Sequence, residues 1–256
     1  MKNIFTKFEL HYSFLIMALG LVLTGHFSNL IIFTSLILIH ELGHVIMASA
    51  FKYKINKIII YPYGGLTKFD NTINSNIIKD LVVSISGIFF QYIYFIIVYI
   101  LYSNGIVRDY IYNLFFLYHK SMLFFNLLPI IPLDGFKILN LFLSKIFCFN
   151  SSNYLSVFIS LFTIAIFLIF DFYDSNYSLI LVIGILMKNI YTVYYKITYI
   201  YNRFLLERYL YNFNYKKYKI IDNENKMYKD KSHLIIKNGK IITEKAFLNN
   251  FFDKIH

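Results

Sequence analysis

The sequence predicts an all-α polytopic membrane protein of about six transmembrane helices, with a small membrane-associated β-hairpin and a short cytosolic α/β tail. Three observations lead there. Of the 256 residues, 58% are hydrophobic and 15% charged, and the polar content gathers in short islands and a C-terminal segment. Apolar runs close to the roughly 20 residues that cross a bilayer recur at 12–24, 29–50, 81–102, 111–131, 154–170 and 177–200. Lys and Arg alternate between the connections, with five at 51–80, one at 103–110, three at 119–152, none at 171–176 and fourteen from 187 onward. By the positive-inside rule this puts both termini and the 51–80 and 119–152 connections in the cytoplasm. The net charge of +11 is thus a topology signal, and no direct nucleic-acid partner is expected.

Each segment has its own signal. The first run follows Lys2 and Lys7 but lacks a small-residue cleavage site, so it reads as an uncleaved span rather than a signal peptide. Between the second and third runs, "KIIIYPYGGLTKF" is rich in β-branched and aromatic residues and reads as a hairpin turned by Gly64-Gly65. It offers either a strand edge for an extended peptide or a loop that simply packs. The composition changes near 201, dividing the chain into a membrane domain at 1–200 and a tail at 201–256. Within the tail, "HLIIKNGKIIT" reads as a hairpin about Asn238-Gly239. Cys148 is the lone cysteine, so no internal disulfide forms.

The chemistry lies where charge meets oil. Glu41 and Asp134 are the acids enclosed by apolar sequence on both sides, in "LILIHELGHVIMA" and "NLLPIIPLDGFKILNLFL". An ionisable group at such depth is costly and marks function by default. His40 and His44, four apart on a helix, stand about 40° from one another and one turn apart, so both imidazoles can bind one metal ion. Glu41 beside them can reach a metal-bound water as general base, which completes the zinc hydrolase pattern H-E-x-x-H. The bland alternative is a pair of helix histidines satisfied by backbone or water. A catalytic zinc takes three protein ligands and keeps one open position. Asp134, following the break at Pro129 and Pro132, is the candidate third ligand; its alternative role is a helix N-cap.

"HELGH" followed by "NLLPIIPLDG" resembles the site-2 protease family of intramembrane zinc metalloproteases. The resemblance implies one zinc ion held by His40, His44 and Asp134, with Glu41 activating water for peptide hydrolysis. Its family position suggests that Asn126 holds substrate backbone or an oxyanion, the alternative being an amide that joins helices, while Gly64 and Gly65 belong to the strand edge that would meet substrate. "TGHF" at 24–27 and "RFLLERYL" at 203–210 resemble the stage IV sporulation protein FB branch. That branch implies a membrane-tethered substrate such as a pro-sigma factor, inhibitory membrane proteins as partners, and a membrane around the developing forespore. The chain departs from the family pattern at Ile88, Gln91 and Phe136. Its tail resembles a shortened form of the nucleotide-binding CBS domain of that branch, and docking is expected of it rather than nucleotide sensing. General membrane quality control competes with the sporulation role, and a transporter or an idle metal-binding scaffold is the reading from another class. His26 and His119, near predicted membrane boundaries where an interfacial histidine is ordinary, and His233 and His256, in the tail, are not assigned to the metal.

Overall fold

Each of the six apolar runs folds as a helix in the computed structural model, which describes residues 7–62, 64–70, 72–174, 177–213, 215, 217–237 and 240–252. Among the described residues, three helices combine the length and apolarity to cross a bilayer: Phe27–Ala50, Ile77–Ser103 and Phe149–Ile169. The 12 residues of the first helix, Tyr12–Leu23, rise only about 18 Å. In Asp109–Leu127 the apolar character is diluted by Asn113, His119, Lys120 and Asn126. The chain divides into two compact units, Met1–Asn71 with Val82–Leu127 and Thr72–Leu81 with Leu128–His256.

The first unit begins with β1 (Phe8–Leu10), α1 (Tyr12–Leu23) and α2 (Phe27–Ala50), followed by β2 (Lys54–Tyr61), β3 (Gly64–Asp70), α3 (Ile77–Ser103) and α4 (Asp109–Leu127). Phe14, Leu36, Ile37, Phe115 and Met122 form a core among α1, α2 and α4. Val45 and Ala48 of α2 meet Ile55 and Ile58 of β2 and Val83 of α3 in a second cluster. The sheet has the order β1-β2-β3, with β1 parallel and β3 antiparallel to β2. Ile55, Ile58 and Ile60 all face inward despite their uneven spacing, because a register shift between Ile55 and Lys57 resets the alternation. Ile60 pairs with Gly65 and Tyr61 with Gly64. The glycines therefore lie within the ladder of β3 and not in the turn as the sequence suggested. Pro62 cannot donate to the ladder and ends β2, whereas the glycines belong to β3.

The second unit contains α5 (Asp134–Ile146), α6 (Phe149–Asp174), α7 (Tyr177–Leu210), β4 (Tyr218–Ile221), β5 (Ser232–Lys237), β6 (Lys240–Thr243) and α8 (Glu244–Phe252). Ser152, Ser156 and Ser160, four apart on α6 and fully buried, form a polar stripe. Ser152 bonds Ser144 of α5 at 2.9 Å, and Ser160 donates to the Pro129 carbonyl at 2.8 Å, satisfying backbone that the proline break released.

Phe204 and Leu205 of α7 pack on Ile221, Met227, Ile235, Phe247 and Leu248 to make the tail's core. Beside it the Arg208 guanidinium, 1% exposed, donates to Glu244 (2.7 Å), Asn74 (2.7 Å) and the carbonyls of Tyr228, Lys229 and Lys231. Lys229 pairs with Asp80 at 2.8 Å, so the tail holds both ends of the 74–80 segment. Strands β5 and β6 pair antiparallel as the sequence predicts, and the Asn238-Gly239 turn lies outside the described residues, as does His256.

Candidate active site and metal centre

Three turns of α3 form the template against which the two α2 histidines are set. Val83, Gly87 and Gln91 recur every four residues and so share one face. The Val83 carbonyl accepts from Nδ1 of His44 at 2.7 Å, and Oε1 of Gln91 lies 3.1 Å from Nδ1 of His40. Between them Gly87 lies under both rings. A Cβ there would stand 2.4 Å from His44 Nε2 and 2.7 Å from His40 Nε2, so only glycine lets the helices approach this closely.

The protonation of the pair follows from its partners. A carbonyl only accepts, so Nδ1 of His44 carries the proton and Nε2 keeps its lone pair. Oε1 of Gln91 offers Nδ1 of His40 an acceptor of the same kind. The two Nε2 atoms face each other at 3.2 Å. Two lone pairs so placed repel unless a cation lies between them. Nitrogens bound to one tetrahedral zinc at about 2.0–2.1 Å are separated by roughly 3.3 Å, so the donor pair fits the metal. Both histidines are buried, at 1% and 3% exposure.

Glu41 completes a buried group with them, its carboxylate and the two imidazoles each offering an atom within 4.8 Å of the others. Strand β3 fixes this side chain. The Thr67 hydroxyl donates to Glu41 Oε2, and a Cβ at Gly65 would come within 2.2 Å of Glu41 Cγ. Glycine at 65 is thus required by the glutamate it lies against, which places the hairpin beside the proposed base.

Asp134 belongs to the second unit. It opens α5, is buried, and accepts from Lys137 Nζ at 2.7 Å, one turn on. The N-cap is Leu133 and makes no side-chain capping bond, so Asp134 is not serving as a cap. Asn126 is buried near the end of α4. His26 is exposed and bonded to Thr24 at 3.0 Å, as an interfacial histidine is expected to be. His119, expected near a membrane boundary, is instead buried and stacked on Phe95 with ring centres 4.7 Å apart. The residues missed by sequence reasoning are Thr67, Gly87 and His119. The signal for His119 was a lone polar side chain within an apolar run.

Comparison with known proteins agrees with this geometry. The model of peptidase family M50 matches residues 28–107, a stretch containing α2, the hairpin and α3. The chain is 31% identical over 217 residues to stage IV sporulation protein FB of Bacillus subtilis (strain 168), covering 81% of this chain and 73% of that protein. It is 30% identical over 187 residues to a zinc metalloprotease of Methanocaldococcus jannaschii, covering 68% of this chain and 53% of that one. Among solved structures, a site-2 protease from Methanocaldococcus jannaschii superposes with a TM-score of 0.58 at 26% identity, covering 72% of this chain and 89% of that chain. With a buried His-Glu-His group that suits zinc and a relative this similar over most of both chains, the protein belongs to peptidase family M50, the site-2 proteases, and is a zinc-dependent intramembrane endopeptidase.

Proposed function

We propose that this protease cleaves the membrane-associated pro-sequence of a regulatory protein, of the pro-sigma-factor class, near the cytoplasmic face. Similarity to a sporulation protein supports the substrate class, and the Lys/Arg distribution supports cytoplasmic termini and six crossings. In this reading His40, His44 and Asp134 hold the zinc, with Lys137 fixing one oxygen of the aspartate. When bound there, zinc would supply Lewis acidity toward the scissile carbonyl and would lower the pKa of water toward about 7.

The chain's own groups do the rest. Glu41 takes a proton from the attacking water and returns it to the leaving amine, while Thr67 holds Oε2 so that the other oxygen faces the water. Strand β3, at the edge of its sheet, offers main-chain partners to a substrate segment that must unwind before its carbonyl can be attacked. Gly65 keeps that edge low against the base, Gly64 allows the positive φ of 141° at the start of β3, and Asn126 contributes an amide to the substrate backbone.

The observation that carries the proposal is the 3.2 Å approach of the Nε2 atoms of His40 and His44 beside a buried glutamate. The test is cleavage of a reconstituted membrane-tethered pro-sequence. Glu41→Gln should retain zinc and lose about 10²–10⁴ of turnover. Full activity in that variant removes the base. Asp134→Asn should weaken zinc as well as activity, and unchanged zinc affinity removes the third ligand.

A further inference from the structure

We infer that Gln91 is a positioning residue for the reaction, its amide oriented by the main-chain carbonyl of His119 so that it locks His40 with the proton on Nδ1 and the lone pair of Nε2 toward the metal. The inference rests on the zinc-site reading and concerns what keeps the first donor in register.

The chain of bonds crosses three helices. Nε2 of Gln91 lies 3.1 Å from the His119 carbonyl on α4 and 3.4 Å from that residue's Nδ1. A carbonyl can only accept, so the amide nitrogen belongs on that side and Oε1 is turned toward α2. Oε1 in turn can only accept, so at 3.1 Å it requires His40 Nδ1 to be the donor. Every group in the relay is nearly sealed: Gln91 is 0% exposed, His40 1% and His119 5%. Phe95 of α3 stacks on the His119 ring at 4.7 Å, which ties this part of α4 to α3, and Phe115, one turn back on α4, flanks the same ring at 6.1 Å.

The two donors are thus held by different means. His44 is fixed by the backbone carbonyl of Val83, which no side-chain replacement alters. His40 depends on one side chain. Without it, an imidazole in a dry site gains nothing from keeping its proton on Nδ1, and the population with Nε2 available to the ion falls. The reach of glutamine also matters, because the same amide must bridge from α3 to both α2 and α4.

Zinc affinity of the purified full-length protein, read by competition with a chromophoric chelator, tests this apart from activity. Gln91→Leu should bind zinc about 10–100-fold more weakly, and Gln91→Glu, which keeps the acceptor toward His40 but meets the His119 carbonyl with an oxygen in place of an N–H, should restore it only in part. The visible spectrum of the Co²⁺-substituted protein should shift in the leucine variant and return partway in the glutamate variant. Unchanged affinity and spectrum in Gln91→Leu would overturn the inference while leaving the zinc site intact. Retention of zinc by His44→Ala would instead overturn the zinc-site reading itself. If the leucine variant does not fold, ¹⁵N-histidine spectra of the wild-type zinc form decide: a protonated Nδ1 and metallated Nε2 at His40 are expected, and the opposite tautomer refutes the relay.

Discussion

At position 87 a hydrogen occupies ground that any side chain would contest. Gly87→Ala would drive a methyl group into both imidazoles, and overpacking of this kind costs about 1–3 kcal/mol even where neighbours can yield. Here yielding separates the Nε2 atoms, so zinc affinity should fall at least tenfold, as chelator competition would register. Thr67→Val removes a hydroxyl at nearly constant volume and leaves a buried carboxylate short of one donor, a loss of about 1–3 kcal/mol. Turnover should drop about tenfold or more with zinc content unchanged, and Thr67→Ser should recover most of it. At this scale the sequence was legible where function is written in a local pattern. His40, Glu41 and His44 share one helix, so their spacing announced that they would meet in one buried group. Thr67 and Gln91 act on residues 26 and 51 positions away, and no periodicity encodes a partner at that distance.

The elements were legible to different degrees for equally physical reasons. Long apolar runs force helices, because in lipid each backbone group must be satisfied within its own segment. The hairpin strands were likewise visible in β-branched composition, but the role of the glycines was not, because both pair within the ladder and Gly65 serves a close approach to Glu41. Strand β1, three residues long and parallel to β2, carries no signal of its own. The C-terminal end of α7 shows the same limit, since Arg208 and Glu244 lie 36 residues apart. Arg208→Met should strand a buried carboxylate and several carbonyls, costing the second unit about 3–5 kcal/mol. Limited proteolysis of the solubilised protein should then cut the tail under conditions where the wild type resists.

For the whole molecule, the tail brings a dependence on pH that the zinc chemistry does not require. Burial holds His233 below its ordinary 6.5, against the opposing pull of Glu244, and its Nε2 accepts from the Tyr228 amide at 2.9 Å. Protonation there would end that bond. Burial alone would raise Glu244, but the His233 N–H and the Arg208 guanidinium together outweigh it and keep the carboxyl below 4.5. Burial pushes Tyr215 from 10.0 up to about 12. A lowered histidine favours the folded tail fully above 6.5 and progressively less below it, because the unfolded state then takes up the extra proton. The depressed glutamate adds a further loss as pH falls below 4.5, and the raised tyrosine removes stability as pH climbs from 10.0 through about 12. Tail protection in hydrogen exchange should therefore form a plateau between about 6.5 and 10 and decline on both sides. His233→Gln should flatten the acid limb near 6.5.

One consequence reaches beyond catalysis to how the enzyme can be stopped. Since the clasp on the carboxylate comes from a strand and not from the zinc helix, a compound that merely pries this ribbon upward would silence the protease without ever touching metal. Selectivity over other zinc hydrolases could then rest on ribbon shape alone.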